Sequence, residues 1–124
     1  MENKLLLAVS EMGGYPNFNP LYESLGYEVI TETKMRKVLK LLKKCTPDVV
    51  VAEFNYQSDF RDRTSSLESL LSVIQRHPNT KVIIFYDKEH EEQLAKLQAQ
   101  YAISQTMPFP IAEQTLEKVI KEII

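Results

Sequence analysis

The sequence predicts an α/β protein of three layers, a five-stranded parallel sheet sandwiched between helices, and three observations predict it. Short apolar runs of strand length alternate along the chain with segments whose apolar residues recur at helical spacing. The runs at 48–54 and 81–86 are too continuously apolar for a sheet with one wet face, so they belong in its buried middle. At 124 residues, with 44% hydrophobic content, the chain suffices for one core, and a single domain over 1–124 is expected.

The elements follow in order. Lys4 to Val9 (KLLLAV) is the first strand, and Gly13-Gly14 behind it reads as a loop. Leu21 and Leu25, one helical turn apart, mark a short helix that Gly26 stops, and Tyr27 to Thr31 is the second strand. Thr33 is placed to cap a helix whose inner stripe is Met35, Val38, Leu39, Leu41 and Leu42. Lys34, Arg36, Lys37, Lys40, Lys43 and Lys44 cover the rest of that helix as a solvated face. Pro47 ends it, and Asp48 to Phe54 is the central strand. A polar connection, Asn55 to Arg63, leads to a capping box, Ser65-x-x-Glu68, with Leu67, Leu70, Leu71 and Ile74 inward. Lys81 to Tyr86 (KVIIFY) is the fourth strand. Asp87 caps a thinly apolar helix running to about Gln100, Ala102 to Thr106 is a weak last strand, and Pro110 opens a final helix lined by Ile111, Leu116, Val119, Ile120 and Ile123.

Charge and composition exclude several classes. A formal charge of -2 offers no broad basic field for nucleic acid or an acidic membrane. The apolar stretch at the N-terminus is too short for a signal segment or membrane span, and the single Cys45 cannot close an internal disulfide, so a reducing cytoplasm is expected. Neither His77 nor His90 has a second ligand at metal spacing, and neither lies near Ser10 to act as a base, so zinc and hydrolase chemistry are not expected. Gly13-Gly14 lacks the GxxxxGK[ST] or GxGxxG context of a phosphate loop. No cofactor is expected.

Five βα units of this length fit the flavodoxin-like order 2-1-3-4-5, in which ligands sit beyond the carboxyl ends of the strands. Three stretches, PDVVVAE in the third strand, KVIIFYDK in the fourth and Met107-Pro108-Phe109 before the last helix, make the whole chain resemble the CheY-like receiver domain of bacterial response regulators in two-component signal transduction. That resemblance implies a phosphorylation site built from an acidic pair after the first strand, an aspartate after the third, a hydroxyl residue after the fourth, and a lysine before a cis-proline after the fifth. The corresponding positions hold Ser10 and Glu11, Glu53, Tyr86, and Met107 before Pro108, which is then the expected cis-proline. An aromatic on the fifth strand, three residues before the lysine, would switch with the hydroxyl residue, and Ser104 stands there.

The framework resembles the family while its chemistry does not, which makes the chain a pseudo-receiver. Glu53 reaches one methylene further than aspartate and spoils in-line geometry, Met107 brings no charge, and Ser10 removes a carboxylate from a magnesium site. Exchange of bulk between Tyr86 and Ser104 suggests that the Tyr86 ring fills the space of the fifth-strand aromatic and locks one conformation. Glu53 itself has three readings: a strand-end carboxylate facing water, a structural group accepting loop amides, or, with Glu11, a weak divalent-ion site.

The expected function is therefore a phosphorylation-independent, non-catalytic signalling or interaction module. With no output domain in the chain, a protein partner or homodimer is expected on the face of the fourth helix, fifth strand and fifth helix, with no nucleic acid and no membrane. The connection carrying Tyr56, Asp59, Phe60, Arg61 and Arg63 is a solvated loop or a second docking surface. The alternatives are a small-ligand sensor or enzyme using the strand-end crevice, lined by Tyr15, Tyr86 and Glu53, and a receiver retaining some response to Mg²⁺ and phosphodonor.

Overall fold

The computed structural model of the chain describes residues 4–10, 16–54 and 66–123. Five strands, β1 (Lys4–Val9), β2 (Tyr27–Glu32), β3 (Val49–Phe54), β4 (Lys81–Tyr86) and β5 (Gln105–Pro108), form one sheet in the order β2-β1-β3-β4-β5, every neighbouring pair parallel. Every residue of β3 is buried, as its unbroken run Val-Val-Val-Ala-Glu-Phe requires of a strand with helices on both sides. The expected α/β sandwich and strand order are borne out.

The helices are α1 (Asn19–Ser24), α2 (Met35–Lys44), α3 (Ser66–Ile74), α4 (Glu91–Gln100) and α5 (Glu113–Ile123). The two faces of the sheet bury separate clusters. On one, Val50, Ala52, Phe54, Ile84 and Tyr86 pack against α2, α3 and α4 through Val38, Leu42, Leu70, Leu71 and Leu94. On the other, Leu6, Val49, Val51, Ile83, Phe85 and Met107 pack against Phe18, α1 and α5 through Tyr22, Leu116 and Ile120. Strand side chains alternate between faces, so this division fixes the direction of every residue near the strand ends. No helix among the described residues is long and apolar enough to cross a membrane.

At the amino ends of the strands, the Leu5 amide donates to the Asp48 carboxylate at 2.8 Å, and the Thr80 hydroxyl donates to the Pro47 carbonyl at 2.7 Å. Gly26 turns the chain from α1 into β2 with φ of 94°, and a Cβ there would meet nothing within 4 Å. Gly26→Ala therefore isolates backbone conformation from sterics. It should cost about 1–2 kcal/mol in a urea melt, the cost of forcing an L-residue left-handed.

Several local expectations need correction. Thr33 does not cap α2; Lys34 holds that position without a side-chain bond, and the preceding turn is fixed by Glu32, whose carboxylate accepts the Thr33 and Lys34 amides. These bonds, with Lys37 and Lys34 nearby, hold the Glu32 pKa below its ordinary value. Asp87 caps as expected, its carboxylate accepting the Glu89 amide at 3.0 Å, but a single 3-10 turn (Lys88–His90) precedes α4. The last strand lies at 105–108, later than the expected 102–106. Its Pro108 is tolerated because β5 is an edge strand with no neighbour on its far side.

Candidate functional site

The register of the sheet assembles the strand ends into rows. Glu53 stands opposite Phe85, and Phe85 opposite Met107. The β1–β3 ladder runs from Leu6↔Val49 to Ala8↔Val51, and by alternation Ser10, the first residue past β1, falls on the same face as Glu53. Ser10, Glu53, Phe85 and Met107 thus form one row whose side chains belong to the α1/α5 face. The next row, Phe54, Tyr86 and Pro108, belongs to the α2/α3/α4 face.

Glu53 is 2% exposed, which overturns the reading of a carboxylate facing water. It stands opposite an aromatic strand residue, Phe85, at the carboxyl edge of the sheet. Phe85 is fully buried, and its ring meets Phe18 edge-on at 6.2 Å and Phe109 at 6.1 Å. Such edge contacts let each ring present its positive rim to a neighbour's face. Phe18 comes from the turn before α1 and Phe109 from the turn after β5, so the row is bordered by rings from two connections.

Met107 is 5% exposed and lies inside β5 within the α1/α5 core. The first residue past the strand is Phe109, whose amide donates to the Tyr86 carbonyl at 2.8 Å. The cis peptide bond of this region is Phe109–Pro110, not the bond before Pro108. Pro108 continues the extended strand opposite Tyr86, so the turn falls after it.

Tyr86 and Ser104 do not exchange bulk. Ser104 is exposed and sits beside Val82, exchanging bonds with it: the Val82 amide donates to the Ser104 hydroxyl at 3.0 Å, and the Ser104 amide to the Val82 carbonyl at 3.0 Å. Val82 is four residues from Tyr86 along β4, about 13 Å in an extended strand. The Tyr86 ring is buried in the cluster that α3 and α4 also line, and its hydroxyl faces the Glu91 carboxylate at the start of α4. Burial first, then the charge and nearness of the Glu91 carboxylate, raise its pKa above the usual 10.0.

Tyr86 and Glu53 alternate to opposite faces of the sheet at the ends of neighbouring strands. Tyr15, Glu11 and the connection carrying Tyr56, Asp59, Phe60, Arg61 and Arg63 lie outside the described residues. Among the described residues the row supplies one carboxylate and one hydroxyl, flanked by Phe85, a donor set poorly matched to Mg²⁺ and its octahedral shell of oxygens. No group of three or more His, Cys, Asp or Glu side chains gathers among the described residues. A hollow of about 300 Å³ opens between β5 and α5, lined in part by Gln105, Thr106, Pro108, Pro110, Thr115 and Val119.

Sequence reasoning missed Phe18, Phe85 and Glu91, and read Phe109 only as part of the Met107-Pro108-Phe109 stretch. A signal for Phe109 was present, because Phe109-Pro110-Ile111 has the same X-Pro-apolar form as Met107-Pro108-Phe109.

Parallel strands in this order, with helices on both faces, define the doubly wound flavodoxin-like class. Solved structures narrow the class to the receiver-domain fold. A response regulator receiver domain from Clostridium thermocellum superposes with a TM-score of 0.77 at 18% identity, covering 98% of this chain and 94% of that one. The chemotaxis response regulator CheY4 of Vibrio cholerae gives 0.76 at 17% identity, covering 99% of this chain and all of its own. A protein from a family of streptococcal redox sensors evolved from two-component response regulators gives 0.78 at 13%, over 97% of this chain and 50% of that one. No family model and no curated protein matches the sequence. The chain has the receiver-domain fold.

Proposed function

We propose that this chain is a receiver-like signalling module that works by protein contact, without catalysis and without accepting a phosphoryl group. The observation that carries the reading is the strand-end row itself. A receiver of the kind the sequence resembles needs a short, accessible acceptor carboxylate with a lysine above it, and here a longer carboxylate is buried beside Phe85. The position where the resemblance expects that lysine holds Met107, buried within β5, and the first residue past the strand, Phe109, brings a ring in edge contact with Phe85 rather than a charge. An aromatic edge supplies no full positive charge to a transferring phosphoryl oxygen, and such electrostatic stabilisation is the largest contribution to this chemistry.

The receiver fold offers a surface for the contact at α4, β5 and α5. The open edge of β5, the exposed Ala95 and Ala99 of α4 and the hollow under Thr115 support a protein partner or a second copy there.

The test is incubation with Mg²⁺ and a small phosphodonor, read by intact mass, on the native chain and on Glu53→Asp. Neither should gain a phosphoryl mass, because Asp restores the acceptor and leaves the aromatic environment in place. A phosphoryl adduct on the native chain removed by Glu53→Gln would contradict the proposal.

A further inference from the structure

Helix α2 presents a cationic surface that neither the fold nor the strand-end row requires. Val38 and Leu42 are buried, with Met35 and Leu41 partly so, and they fix the inner side of the helix. Arg36, Lys37, Lys40, Lys43 and Lys44 are all exposed and fall within an arc of about 120° on the opposite side. Lys34 extends the patch at its amino end, and the segment 34–44 contains no acidic residue.

This arrangement works against the stability of its own helix. Arg36, Lys40 and Lys44 are successive i, i+4 neighbours of like charge, a destabilising spacing. Among the described residues none of the three forms an ion pair, and the pair found on α5, Lys121 with Glu117 at 3.8 Å, shows the ordinary alternative. Solubility does not require the patch either, since exposed positions of mixed charge serve as well.

The rest of the chain has the opposite sign. Outside 34–44 the sequence holds nine Lys and Arg against seventeen Asp and Glu. The cationic face spans Arg36 to Lys44, about 12 Å along the axis. A long polyanion such as nucleic acid, or an anionic membrane plane, would reach past this strip and meet a remainder of the chain that is net negative by eight charges. A short acidic run of about four extended residues matches its length.

We infer that the outer face of α2 is a docking surface for an acidic segment of a protein partner. It is separate from the strand-end row and from the α4–β5–α5 face, since α2 packs against α3 and β2 at the other end of its helix layer. The inference therefore stands or falls independently of the proposed function.

The experiment measures anisotropy of a labelled oligoglutamate peptide with the whole chain, at low and physiological salt. The same assay is run with a short DNA duplex of matched charge and with phosphatidylserine-containing vesicles. Arg36→Glu/Lys40→Glu/Lys44→Glu should weaken peptide binding by about tenfold or more, and Lys40→Gln/Lys44→Gln by an intermediate factor. Binding of the native chain should also weaken as salt screens the charges. Lys40→Glu alone turns the repulsions with Arg36 and Lys44 at i±4, and with Lys37 and Lys43 at i±3, into attractions, so its melting temperature should rise by a few degrees, which separates lost binding from lost folding. No peptide binding at low salt, undiminished binding by the triple variant, or tighter binding of DNA or vesicles than of peptide would overturn the inference.

Discussion

Phe85→Ala is expected to lower the unfolding free energy by about 3–5 kcal/mol, the usual range for deleting a buried aromatic ring. Three features place it at the upper end. Phe85 is completely buried, it is flanked within the sheet by Glu53 and Met107, and its ring contacts Phe18 and Phe109 from two different connections. Removal thus opens a cavity that strand neighbours cannot close and breaks two edge contacts worth about 0.5–1.5 kcal/mol each beyond burial. Since a small domain is stable by about 5–15 kcal/mol, the variant should sit near its unfolding threshold at body temperature. Phe109→Ala, at a half-buried position, should cost distinctly less. Equilibrium urea unfolding of both variants checks the order. Equal losses would mean that the aromatic group does not centre on Phe85.

The second large effect is expected at Tyr86. Tyr86→Ala should cost about 3 kcal/mol or more and raise amide exchange in β5 and the start of α4, because the ring bridges β4 to the α3 and α4 helices. Tyr86→Phe keeps the buried ring and loses only the hydroxyl near Glu91, so its cost should be distinctly smaller than that of Tyr86→Ala. A pH series separates the two contributions. The folded pKa of Tyr86 is raised, so its contribution is fully present below the unfolded value of 10.0 and is lost as pH rises through the folded value. Tyr27 and Tyr101 shift in the same direction, the first through burial and Asp48, the second through burial and Glu68. Native stability should therefore decline above pH 10, and Tyr86→Phe should decline less steeply. An identical slope in native and variant would place the phenol in a water-like setting.

The central elements were legible because their signal is burial on both faces. KLLLAV, VVVAEF and KVIIFY are each apolar but for one charged residue, and β1 and β4 cover the whole of their stretches. β5 was misplaced because Gln105-Thr106-Met107-Pro108 carries little strand propensity and a proline that only an unpaired edge accommodates. With the strand at 105–108, Met107 lies inside β5 and Ser104 falls beside Val82 rather than Tyr86. The burial of Glu53 was illegible for another reason. It depends on the register that sets Phe85 beside it, and periodicity within one strand does not specify register between strands.

The most direct test of a receiver fold without a phosphoryl switch is an amide NMR titration with Mg²⁺, followed by beryllofluoride as the phosphoryl mimic. Resonances of Ser10, Glu53, Phe85, Tyr86 and β5 report the strand-end row and its link to α4. The account predicts that the mimic leaves these resonances where Mg²⁺ alone leaves them. Shifts that begin at Glu53 and spread through Tyr86 into β5 only when the mimic is added would contradict it.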